Sequence, residues 1–83
     1  GDSLVVTFDQ SVTKSALNNL QNAKVVRHTK GHTWHIQSDD GNALRTEIAK
    51  FALDKGFVIM ELKQENTSLE NVFKQVTSGN NNP

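Results

Sequence analysis

The sequence predicts an α+β domain, and three patterns predict it. Short runs of β-branched and aromatic residues bounded by turn residues, such as Leu4-Val5-Val6-Thr7-Phe8 and Thr33-Trp34-His35-Ile36-Gln37, read as strands. Two longer stretches between such runs carry apolar residues three and four apart, the spacing of one buried helical face. A third stretch of that kind, Leu69, Val72, Phe73 and Val76, follows a capping box in which the Thr67 hydroxyl and the Glu70 carboxylate satisfy backbone N–H groups of a first helical turn.

Taken in order, residues 1–3 read as a linker remnant or cleavage scar, residues 4–78 as a single domain and residues 79–83 as a disordered polar tail with nothing to bury. After the strand 4–8, Asp9-Gln10-Ser11 breaks the extended run and offers helix caps. Val12, Ala16, Leu17, Leu20 and Ala23 then form a helical stripe, with Asn18, Asn19, Gln21 and Asn22 on the wet side. Residues 24–29 and 33–37 pair as a β-hairpin around Gly31. Asp39-Asp40-Gly41-Asn42 supplies turn and cap chemistry for a helix over residues 43–55, whose inner face is Leu44, Ile48, Phe51 and Ala52. Gly56 stands where a left-handed helix cap is needed, and residues 57–63 form the next strand. The resulting order, βαββαβ with an additional C-terminal amphipathic helix, is that of a ferredoxin-like plait, a sheet with two helices on one face. The last helix must cover something apolar, and docking within the chain, on the leftover sheet face or an adjoining edge, is favoured over docking on a partner.

Composition excludes several classes. Eighty-three residues make one domain. Nine basic and nine acidic residues cancel, which removes the electrostatic footprint of a nucleic-acid binder. No cysteine is present for disulfide or thiolate chemistry. No apolar run approaches the roughly 20 residues that would insert into a bilayer.

Among chemistry-bearing residues, only His28, His32 and His35 could form a metal site. A two-residue Gly31-His32 turn would set Lys30 against Thr33 and His28 against His35, two imidazoles on one sheet face. No third ligand is evident where a structural zinc site wants four, and a one-residue slip destroys the pair, so no metal is expected. The same register turns Val25, Trp34 and Ile36 toward the core. No catalytic residues are predicted: no Gly-x-Ser-x-Gly elbow frames a nucleophile, and Asp39-Asp40 is explained by the turn before a helix. No phosphate-binding loop occurs, so the chain itself should neither bind nor hydrolyse ATP. Phe8 and Trp34 on the central strands lack the surrounding motif of an RNA-recognition sheet.

The run Val58-Ile59-Met60-Glu61-Leu62, a polar turn, and then Ser68-Leu69-Glu70-Asn71-Val72-Phe73 through Thr77 resembles the terminus of bacterial ABC-transporter ATP-binding subunits, most of all those of the gliding-motility type. There the motif closes a small domain appended to the nucleotide-binding domain. The resemblance implies a non-catalytic interaction or regulatory domain, with Thr67, Leu69, Glu70, Val72, Phe73 and Val76 as the cap and anchors of its interaction helix. It implies ATP and Mg²⁺ in the parent's nucleotide-binding domain and no cofactor here. The implied partners are that domain, a second ATPase subunit and the membrane subunit, with self-pairing left open. The implied location is cytoplasmic, peripheral to the inner membrane. A small-molecule-sensing regulatory domain of the βαββαβ type, with an effector near Gly31 or Gly41, is the alternative.

Overall fold

The computed structural model describes residues 1–65; the expected interaction helix, with Thr67, Leu69, Glu70, Val72, Phe73 and Val76, and the tail lie outside the described residues. Six elements follow one another: β1 (Asp2–Phe8), α1 (Lys14–Asn18), β2 (Val25–Lys30), β3 (Thr33–Ser38), α2 (Gly41–Lys55) and β4 (Ile59–Glu65). The four strands form one sheet in the order β2-β3-β1-β4, with every neighbouring pair antiparallel. Both helices contribute to a single core on one face of this sheet. Leu4, Val6 and Phe8 of β1 and Trp34 and Ile36 of β3 meet Leu17 of α1 and Leu44, Ile48 and Ala52 of α2 there. Period-two alternation sends the intervening strand residues to the opposite face.

The first strand begins earlier than the apolar run suggests. Asp2 and Ser3, expected to be linker, pair with Ser38 and Gln37 across the β1–β3 ladder. Asp2 also anchors the start of α2, because its carboxylate accepts the Gly41 N–H at 2.8 Å and satisfies a donor of the first turn. The Asp40 carboxylate takes the Ala43 N–H at 3.1 Å as the cap proper. Gly41 makes the approach of Asp2 feasible, because a β-carbon there would lie 2.8 Å from the Asp2 carboxylate oxygen and 3.0 Å from its β-carbon. Gly41→Ala is therefore expected to cost about 1–2 kcal/mol in urea unfolding despite the better helix propensity of alanine. In that background Asp2→Ala should add almost nothing, since the bond it would remove is already lost.

The far end of α2 follows expectation closely. Gly56 sits at φ 78°, its N–H reaches the Leu53 carbonyl at 3.4 Å, and the Phe57 N–H reaches the Ala52 carbonyl at 2.8 Å. This is a Schellman cap, and it turns Phe57 back onto the core.

The first helix is shorter than its apolar stripe. Thr13, not the Asp9–Ser11 segment, caps it, with its hydroxyl accepting the Ala16 N–H at 3.1 Å. The helix ends at Asn18, yet Val12, Leu17 and Leu20 are buried as the stripe requires. Asparagines are weak helix formers, and a competing acceptor is at hand. The Glu47 carboxylate of α2 receives the backbone N–H groups of Gln21 and Asn22 and the Asn22 side-chain amide, at 2.5, 2.9 and 3.1 Å. Those amides face Glu47 instead of continuing a helical ladder.

The closing strand starts later than expected, at Ile59, because Asp9 holds the residue before it. Asp9 N–H donates to the Val58 carbonyl at 3.0 Å, and the Val58 N–H donates to the Asp9 carboxylate at 2.9 Å. That second bond holds the Asp9 carboxyl below its ordinary pKa.

Candidate functional site

The face of the sheet away from the helices carries a chemically varied set of side chains. Its residues follow from the register. Ser3, Val5 and Thr7 of β1 lie opposite Gln37, His35 and Thr33 of β3 and opposite Glu65, Lys63 and Glu61 of β4. Arg27 of β2 lies opposite His35 and Val25 opposite Gln37. Only the two valines in this set are apolar; Ser3 is buried, and the exposed polar members are Arg27, Gln37, Glu61, Lys63 and Glu65. Alternation in strands 4–8 and 33–37 already implies such a face.

A relay of three side chains crosses it. Arg27 donates a guanidinium N–H to His35 Nδ1 at 3.5 Å, and His35 Nε2 lies 3.3 Å from Glu65 Oε1. Arginine has no acceptor, so in this contact Nδ1 is the accepting nitrogen, and Nε2 is the one turned to Glu65. The relay links β2, β3 and β4 diagonally over β1, from His35 opposite Val5 to Glu65 opposite Ser3. Beside it the Thr7 and Thr33 hydroxyls bond to each other at 2.8 Å. Sequence alone does not reveal this relay, because an unbroken hairpin register places Arg27 on the core side.

A bulge accounts for that difference and overturns the His28–His35 pair. Lys30 does face Thr33, but the register shifts between His28 and Lys30, which leaves Thr29 without a partner. The Thr29 hydroxyl bonds to the Thr33 carbonyl at 3.1 Å and so replaces a ladder bond in the irregular stretch. Beyond the bulge every residue of β2 changes face. His28 therefore faces Trp34, with ring centroids 4.7 Å apart, and its Nε2 is 2.8 Å from the Gly31 carbonyl. His35 faces Arg27 on the other side of the sheet, where its side chain is 13% exposed. The two imidazoles cannot share an ion across the sheet, and no group of three metal-binding side chains is assembled among the described residues. Val26, not Val25, fills the core position on β2.

The remaining candidates have structural employment. Asp40 caps α2, while Asp39 pairs with Lys24 at 3.3 Å in an exposed contact. Phe8 and Trp34, 1% and 5% exposed, belong to the core and offer no stacking platform. Gly41, one of two glycines expected near an effector, has Asp2 packed against it. An open cleft of about 350 Å³ lies at the sheet end formed by residues 1–3, Lys24, Val25 and residues 37–39. Among the described residues no helix is long and apolar enough to cross a membrane. No protein-family model matches the chain, and neither the curated proteins nor the solved structures contain a match to it.

Proposed function

We propose that this chain is a non-catalytic interaction domain of the ferredoxin-like type, appended to the ATP-binding subunit of an ABC transporter. The observation that carries this reading is the closing sequence Ser68-Leu69-Glu70-Asn71-Val72-Phe73, placed directly after the edge strand β4. The antiparallel order β2-β3-β1-β4, with α1 and α2 feeding one core, supports the plait. On this reading the domain sits on the cytoplasmic side of the inner membrane and touches its own nucleotide-binding domain, the second ATPase subunit or the membrane subunit. Such a module acts by stabilising one state of the nucleotide-driven opening and closing cycle over the other, and a difference of a few kcal/mol shifts that population strongly.

Peptide mapping of the native polypeptide that carries this sequence tests the assignment. A P-loop and a Ser-Gly-Gly-Gln-type signature are expected within roughly 250 residues ahead of Gly1, the length of one domain. A native polypeptide with neither motif would overturn it.

A further inference from the structure

We infer that the outer edge of β4 is a self-pairing surface, through which two copies of this chain join their sheets antiparallel about a two-fold axis at Leu62. The inference stands on the strand itself and does not depend on the transporter reading. Strand β4 ends the sheet order, and among the described residues no element lies beyond it. An edge strand presents a row of unpaired backbone donors and acceptors, which is a template for another strand. Two exposed apolar side chains also gather here: Val58 and Met60, 55% and 65% exposed.

The charges on β4 choose the partner and the register. Glu61, Lys63 and Glu65 share the helix-free face, opposite Thr7, Val5 and Ser3, and Glu61 and Lys63 are both more than half exposed. Directly opposed residues of an antiparallel pair point to the same face, so a symmetric pairing must place a residue on its axis. With Glu61 on the axis, Glu61 meets its own copy. With Lys63 on the axis, Lys63 meets itself and Glu61 meets Glu65. With Leu62 on the axis, Glu61 faces Lys63 of the second copy and Lys63 faces Glu61, while the two Leu62 side chains touch. The β1–β4 register shifts between Thr7 and Phe8 and leaves Met60 without a partner, so the regular part of β4 is Glu61–Glu65, and centring on Leu62 keeps the Glu61–Lys63 pairs within it. The charges thus disfavour the registers centred on Glu61 and Lys63 and favour the one centred on Leu62, while centring on Gln64 would set Lys63 against Glu65 but overlap only residues 63–65 of the described strand.

The pairing should appear in sedimentation of this chain between about 10 μM and 1 mM as a reversible monomer–dimer equilibrium. Lys63→Glu reverses two cross-strand pairs and should weaken the dimer about tenfold or more, with the fold unchanged by circular dichroism. Glu61→Lys should do the same. An equimolar mixture of those two variants should form a heterodimer, because the two acidic residues at 61 and 63 of one variant then face the two lysines at those positions of the other. A chain that stays monomeric at the highest concentration would overturn the inference, as would residues 66–83 proving to occupy the edge. A dimer indifferent to Lys63→Glu, or a mixture that does not pair, would overturn it as well.

Discussion

Replacing Phe8 by alanine is expected to leave most molecules unfolded at room temperature. Phe8 is the largest fully buried side chain among the described residues, and its ring stands edge-on to those of Phe51 and Phe57, with centroids 6.1 and 6.0 Å away. Phe51 and Phe57 are themselves 5.7 Å apart, so one ring of β1 holds the middle of α2 and the approach to β4 together. Removing a buried phenylalanine costs about 3–5 kcal/mol, comparable with the few kcal/mol that a core of this size supplies. Urea unfolding followed by circular dichroism measures the loss, and fluorescence of the single Trp34 provides a second probe. Phe8→Leu should stay folded and lose only about 1–2 kcal/mol, because most of the volume remains. An alanine variant within about 1 kcal/mol of the parent would show that the aromatic cluster is not part of the cooperative core.

The second large effect is expected at Glu47, a residue that presents itself in the sequence as an ordinary helix-surface acid. Glu47→Ala strands the Gln21 and Asn22 N–H groups and should cost about 2 kcal/mol, less than for fully buried bonds because water can reach part of the site. Its pH dependence follows from the same contacts. Burial pushes the Glu47 carboxyl up, but the Asn22 and Gln21 backbone bonds and the Asn22 amide together outweigh it and hold the pKa below the ordinary value. A carboxyl depressed in the folded state contributes stability above its unfolded pKa and loses it as pH falls through the folded pKa. Asp9, depressed chiefly by the Val58 N–H, adds in the same direction. The urea midpoint should therefore fall as pH is lowered from about 5 toward 3, and Glu47→Gln should start lower and fall less steeply. A variant whose midpoint falls as steeply as the parent's would place the acid sensitivity elsewhere.

These two residues define how the open face is presented. Phe8 and its neighbours hold β1 and β4 side by side, and Glu47 holds the segment that leads into β2. The Arg27–His35–Glu65 relay and the β4 edge therefore depend on contacts made on the opposite side of the sheet.

Local sequence was enough to determine the order of the six described elements, the inner face of α2 and both of its caps, but not the cap of α1, which is Thr13 and not the Asp9–Ser11 segment. Asp40 and Gly56 act through backbone atoms no more than a few residues away, and Leu44, Ile48 and Ala52 share a face through helical period alone. Tertiary structure decided everything that depends on distant partners. The five-residue length of α1 reflects capture of amides by Glu47, about 25 positions along the chain. The start of β1 at Asp2 depends on Gly41 and Ser38. The faces of Arg27 and His28 depend on a single unpaired residue, Thr29, and a hydrophobic pattern cannot foresee it because a bulge reverses side-chain direction without changing composition. Periodicity reports which residues can share a face, whereas register, which only the paired strands establish, decides which of them meet.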